Sequence, residues 1–167
     1  MCIRDRVWTT VGNAEKAQAC LAAGAHHALN YRDTDFEADI REATQGAGVD
    51  VILDMVGGRY INKNIRLLAV NGRLVQIAFL EGSKAEIDAL PIMTKRLSFT
   101  GSTLRPRSDE DKGAIAQSLA DKVLPLMEQG QCLPRIHAVF PLARANEAHA
   151  LMESSAHIGK IMLQVQA

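Results

Sequence analysis

The 167-residue sequence predicts an α/β protein built on a doubly wound, mostly parallel sheet. Three observations carry that class. Short runs rich in β-branched residues alternate with helical patterns of roughly ten residues, the alternation recurs from Val7 to Phe79, and the junctions hold glycines or capping side chains. Parallel strands need crossovers of helix length, and such crossovers place helices on both faces of the sheet.

Val7-Trp8-Thr9-Thr10-Val11 forms the opening strand, and Gly12-Asn13 turns it into a helix that Asn13 caps and Gly24 stops. A short strand follows at 28–31. Asp33 or Thr34 then caps a helix with Phe36, Ile40 and Ala43 at helical spacing, closed by Gly46-Ala47-Gly48. Val49-Asp50-Val51-Ile52-Leu53 is dense in β-branched side chains and reads as a buried strand ending at Asp54. Gly57-Gly58 opens a helix carrying Ile61, Ile65 and Leu68, and Asn71-Gly72 turns the chain into a strand at 73–79. A looser stretch leads to a short helix at 90–95 and a strand at 97–102. Residues 109–129 are helical by pattern with Pro125 as a kink, and strand, helix and strand follow at 134–140, 144–154 and 160–165. Met55, Met93, Met127, Met152 and Met162 read as core fillers.

Composition narrows the function. Nineteen basic residues balance nineteen acidic ones, so no net field draws the chain to nucleic acid or to an anionic membrane. Cys2, Cys20 and Cys132 are odd in number and far apart, which argues against a disulfide framework or a zinc knuckle and for a reducing, cytoplasmic setting. The five histidines do not have metal-ligand spacing, and His26 and His27 point to opposite sides of a strand. No nucleophile elbow is present, and no cysteine has a nearby histidine to activate it.

In open parallel sheets ligands sit at the carboxyl ends of the strands. The end of the opening strand, Thr10 to Asn13, has no carboxylate to accept hydrogen bonds from an adenosine ribose, so a 2′-phosphate is not repelled there. Lys16 lies on the following helical turn, and Tyr31 ends the next strand. On charge grounds this favours NADP(H). Taken singly, Lys16 also reads as a solvated helix lysine and Tyr31 as a half-buried strand tyrosine. Gly57-Gly58 permits either close backbone approach to a ligand or a tight turn, and Asp54 caps the next helix or hydrogen-bonds within its loop. Arg105-Pro106-Arg107 is a local basic cluster, read as a solvated loop or as an anion contact.

Taken together, VGNAEKAQACLAAGAHHALNYRDTDF, GVDVILDMVGG, GRLVQIAFLEGSK, FTGSTLRPRS and SSAHIGKIML resemble the carboxyl-terminal half of a quinone oxidoreductase of the zinc-independent, zeta-crystallin-like branch of the medium-chain dehydrogenases/reductases. The resemblance implies a Rossmann-like domain and an NADPH-dependent reduction of a small-molecule quinone or conjugated carbonyl. It also implies a homodimer or higher homo-oligomer at full length. By the same resemblance Gly12, Asn13, Lys16 and Tyr31 surround the adenosine 2′-phosphate. Val56, Ala78, Phe79, Leu80, Ser102, Thr103 and Leu104 lie on the nicotinamide side, and Ser155 falls near a further cofactor contact. No catalytic acid or base and no metal ligand is assigned. An enoyl reductase of the same superfamily, or a non-enzymatic dinucleotide-binding or structural protein, shares these features.

The family places a strand and a glycine-rich turn before VWTTVG, where this sequence has MCIRDR. That hexapeptide is similar to a run found at the start of translations from adapter-contaminated assemblies, and residues 1–6 read as a non-native leader, with a genuine short start or alternative exon as the other reading. The resulting expectation is a partial Rossmann NADP-binding domain at 7–130, lacking its first strand and glycine-rich loop, and a return segment at 131–167 whose strands belong to an absent GroES-like domain. Such a fragment is expected to be poorly stable, inactive alone, and weak or incapable in binding NADPH.

Overall fold

The computed structural model describes residues 6–165. Apart from Arg6, the leader reading therefore lies outside the described residues. Two compact units divide between Arg107 and Ser108; the sequence-based division is at 130/131.

The first unit contains strands β1 (Trp8–Val11), β2 (His27–Asn30), β3 (Val49–Asp54), β4 (Leu68–Gln76) and β5 (Ser98–Gly101). Its helices are α1 (Ala14–Ala22), α2 (Phe36–Ala43), α3 (Arg59–Leu67) and α4 (Leu90–Thr94). Every strand pair is parallel, as the helical crossovers require. The strands form a two-stranded sheet, β1-β2, and a three-stranded sheet, β3-β4-β5.

Local chemistry fixes the helix starts. The Asn13 side chain accepts the Lys16 N–H at 2.8 Å and caps α1 as expected. On α2 the cap is Asp35, which accepts from the Glu37 N–H at 3.2 Å, and not Asp33 or Thr34. Helix α3 ends at Leu67 and passes directly into β4, so Leu68 is a fully buried strand residue rather than a member of the helix face. The expected continuation of β4 through 77–79 does not form, because the strand ends at Gln76 and the chain turns across the neighbouring loop.

Helices α2 and α3 cover one face. Phe36, Ile40, Tyr60 and Leu67 form one buried cluster, and Ile61, Ile65, Leu68 and Leu74 form a second. Val49 and Ile52 touch both, while Trp8 from β1 and Leu29 from β2 join the first. The two sheets thus share a core without sharing a hydrogen bond ladder. Burying a side chain such as Leu68 or Leu74 contributes about 2–3 kcal/mol. Between the helices, Glu37 is buried and accepts from Arg66 Nε at 2.9 Å and from its NH2 group at 2.5 Å, with Arg41 at 3.3 Å. The Arg66 hydrogen bond holds the Glu37 carboxyl below its usual range against the opposing cost of burial.

The opposite face of β3 is open: Val51 is 52 % exposed and Leu53 66 %. The strand expected to be buried throughout is buried on one side only. The methionines likewise depart from their expected role. Met55, Met93, Met152 and Met162 are exposed, and Met127 is half-buried.

The second unit contains α5 (Asp109–Lys122), α6 (Leu124–Glu128), β6 (Ile136–Pro141), α7 (Ala145–Glu153) and β7 (Lys160–Gln164). Ser108 caps α5 at the Asp111 N–H, and three acidic residues occupy its first turn, where the helix dipole favours them. In place of a kink the expected long helix breaks at Val123, with Pro125 in the first turn of α6, because proline cannot donate the backbone bond that continuity needs. Strands β6 and β7 pair in parallel, with α7 as their crossover.

Candidate functional site

The carboxyl ends of β1, β2, β3, β4 and β5 carry the candidate residues of the first unit. At the ends of β1 and β2, Tyr31 N–H donates to Val11 O at 3.1 Å and brings the tyrosine over the turn after β1. A methyl group added to Gly12 would lie 2.9 Å from the Tyr31 hydroxyl oxygen, so glycine is what lets that hydroxyl approach the backbone. Asn13 begins α1 with extended backbone, and Lys16 is half-buried on its first turn. Asn30 shapes the loop beyond β2 by accepting from Arg32 N–H at 3.2 Å and donating to Asp33 at 2.5 Å. The four residues expected around an adenosine phosphate are therefore held within two adjoining strand-end turns.

The second group is tied by buried polar side chains. Asp54, 4 % exposed, accepts from Val56 N–H at 2.6 Å, Gly57 N–H at 3.2 Å and Asn64 Nδ2 at 3.1 Å. This is the loop-bonding role that sequence allowed it. Gly57 has φ +71°, and a Cβ there would press within 2.7 Å of both Gly82 O and the Phe79 ring. Residues 77–82 run across that turn: Ile77 N–H donates to Asp54 O, Leu80 N–H to Met55 O and Glu81 N–H to Val56 O. Val56, Ala78, Phe79 and Leu80 are thereby one structure.

Gln76 connects this group to β5. Its backbone carbonyl accepts from Ser102 N–H at 3.0 Å, and its side-chain Nε2 donates to Ala78 O at 2.7 Å. The Gln76 side chain is buried and its Oε1 has no partner. Sequence reasoning missed this residue, because a glutamine inside a strand pattern carries no signal of its contacts. Ser102, Thr103 and Leu104 are exposed, and Arg107 folds back to donate to Ser102 Oγ at 3.1 Å and Thr103 O at 3.2 Å. Ser155 lies in the second unit, just after α7, exposed and with φ +54°.

Four histidines have structural partners among the described residues: His26 Nδ1 accepts the Val7 N–H, the His27 ring stacks on Trp8 with centroids 3.7 Å apart, and His137, whose Nδ1 accepts the Ile158 N–H, meets the His157 ring edge-on. Among the described residues no group of three or more His, Cys, Asp or Glu side chains is arranged to hold a metal ion. No helix among them is long and apolar enough to cross a membrane.

Parallel strands with helical crossovers, and loops gathered at the carboxyl ends, define a Rossmann-like domain. The chain belongs to the zinc-binding dehydrogenase family, whose model matches residues 23–163, and within the medium-chain dehydrogenases/reductases it is quinone oxidoreductase-like. It is 27 % identical to the quinone oxidoreductase-like protein 2 of Bos taurus, over 98 % of this chain and 47 % of that protein. A solved mycobacterial quinone oxidoreductase is 28 % identical with a TM-score of 0.78, matched over 96 % of this chain and 49 % of that one. The CurK enoyl reductase is 27 % identical with a TM-score of 0.74, over 96 % and 47 % of the respective chains. The chain spans about half the length of the curated relatives it matches.

Proposed function

We propose that this chain is the cofactor-facing part of a zinc-independent, NADPH-dependent quinone oxidoreductase, which at full length transfers hydride to a quinone or another conjugated carbonyl. The observation that carries the reading is the Tyr31 hydroxyl seated over Gly12, beside the Asn13-capped turn bearing Lys16, at a strand end without a carboxylate. The glycine cradle and the polar rim fit a phosphorylated adenosine. Tyr31 and Lys16 would hold the 2′-phosphate, and Asn13 fixes the helical turn that aims Lys16. Val56, Ala78, Phe79, Leu80, Ser102, Thr103 and Leu104 would border the nicotinamide end. When bound, the reduced nicotinamide supplies the hydride. The chain's own contribution is orientation: Gln76 holds the Ala78 carbonyl, while Asp54 and Gly57 set the turn on which Phe79 rests.

Similarity to an enoyl reductase supports a second acceptor class, an enoyl thioester. NADPH oxidation by the full-length parent, compared with quinone and enoyl acceptors, separates the two. Cofactor choice is tested on the full-length parent with adenosine 2′,5′-bisphosphate and 5′-AMP, titrated while NMR shifts of Gly12, Lys16 and Tyr31 are followed. The bisphosphate is expected to bind about tenfold or more tightly, and Tyr31→Phe to remove part of that preference. Equal affinity for the two nucleotides overturns the NADPH reading.

A further inference from the structure

Gln76 ends β4, the middle strand of the three-stranded sheet, and is 4 % exposed. Its register partner on β3 is Asp54, and on β5 it is Gly101. The Asp54 side chain accepts from Val56, Gly57 and Asn64, and Gly101 has no side chain to offer. The Gln76 amide is thus set between an acceptor and a bare backbone.

That setting orients the amide. The Ala78 carbonyl can only accept, so the nitrogen must face it, and Nε2 donates to Ala78 O at 2.7 Å. Oε1, on the other arm of the amide, is buried and without a donor among the described residues. A buried acceptor left unpaired lowers stability, and an apolar side chain of similar length would not carry that cost. What the amide adds is one bond, to the Ala78 carbonyl.

The place of that bond gives it meaning. Between 77 and 81 the amides of Ile77, Leu80 and Glu81 donate to the carbonyls of Asp54, Met55 and Val56. Ala78 falls in the gap of this series, and there the Gln76 side chain holds it. The Gln76 backbone carbonyl meanwhile accepts from Ser102 N–H at 3.0 Å. One residue therefore anchors both segments proposed above to border the nicotinamide, 78–80 by its side chain and 102–104 by its main chain.

We infer that Gln76 is a positioning residue for hydride transfer: its side-chain N–H fixes Ala78 and Phe79, and so governs the rate of the transfer rather than the affinity for the cofactor. The inference rests on the NADPH reading above and adds to it a buried residue that acts through Ala78. A displacement of about 1 Å at a reacting centre slows the step about a hundredfold. Binding, summed over the whole dinucleotide, is less sensitive to it.

The test uses the full-length parent with the better of its quinone and enoyl acceptors. NADPH oxidation is followed in a single turnover, the NADPH dissociation constant by fluorescence titration, and Tm by thermal unfolding. Gln76→Met keeps the length of the side chain and removes both the donor and the unpaired acceptor. Expected are a transfer rate lower by about tenfold or more, a dissociation constant within about twofold of the parent's, and a Tm equal or higher. Gln76→Glu returns a donor to Ala78 O when its carboxyl is protonated, which burial favours, and repels that carbonyl when ionised. Its rate relative to the parent's is therefore expected to rise as pH falls from about 9 to about 6. A transfer rate unchanged in Gln76→Met overturns the positioning role and leaves the NADPH reading standing. So does a rate loss matched by falls in Tm and in affinity, which marks a structural role, or a Gln76→Glu rate as low as that of Gln76→Met at every pH. A parent that oxidises no NADPH with either acceptor overturns both.

Discussion

At the Tyr31 end of the strand-end surface the candidate residues stand on short strands and exposed loops, positioned by a glycine, one helix cap and main-chain bonds. At the Asp54 end the turn 55–58 and the segment 77–82 are tied by a buried carboxylate, a buried amide and a glycine that admits no side chain. The difference teaches which changes should cost the fold and which should cost a ligand. Buried polar groups with several partners act on stability, because removing one leaves the others unpaired away from water. Exposed groups in open turns act on binding.

The largest effect is expected from Asp54→Ala, which strands three donors and should cost about 2–4 kcal/mol, read as a lower denaturant midpoint. Asp54→Asn retains acceptor oxygen and should cost less; equal losses for the two would break the contrast between the ends. Gly57→Ala should cost about 2 kcal/mol or more, since its φ of +71° and the approach of Gly82 O and Phe79 both oppose a methyl group. Thermal unfolding checks this, with Gly24→Ala, whose added methyl would meet open space, as the control for positive φ alone.

The Glu37–Arg66 bridge joins α2, which follows the Tyr31 end, to α3, which follows the Asp54 end. Its carboxyl lies below the usual value of 4.5, so its stabilisation is fully present above that pH and is lost as pH falls through the lower folded value. Relative to Glu37→Gln, the wild-type chain should be about 1–2 kcal/mol more stable at neutral pH, an amount reduced for the partial exposure of Arg66. That margin should close below pH 4.5, as acid titration of unfolding would report. The smallest effect belongs to the Tyr31 end: Asn13→Ala removes the α1 cap and should cost about 1 kcal/mol, while leaving the resonances of 55–58 unmoved.

Much of the fold could be read from periodicity and capping. The runs at Val49 and Trp8 became strands, and Asn13 and Asp54 took roles their residue types allow. Where reading failed, competing local signals were equal. Asp33, Thr34 and Asp35 are all good caps, and the choice of Asp35 follows from Phe36 entering the core and Lys63 reaching the cap. Leu68 fits an apolar helix face as well as a strand, and only the direct passage from α3 into β4 decides it. Whether Leu53 or Met93 is buried depends on what covers the second face of a sheet, which alternation cannot say.

The separation of β1-β2 from β3-β4-β5 orders how the first unit should open. Within it, β4 is the strand with neighbours on both sides among the described residues, and it contains the fully buried Leu68 and Leu74. Its amide protons should be the last to exchange with solvent. Strands β1 and β2 have one ladder between them and only Val11 buried, at 7 % exposure. Their amides should exchange through local openings that leave β4 protected, so the Tyr31 end would breathe on a faster clock than the scaffold carrying it.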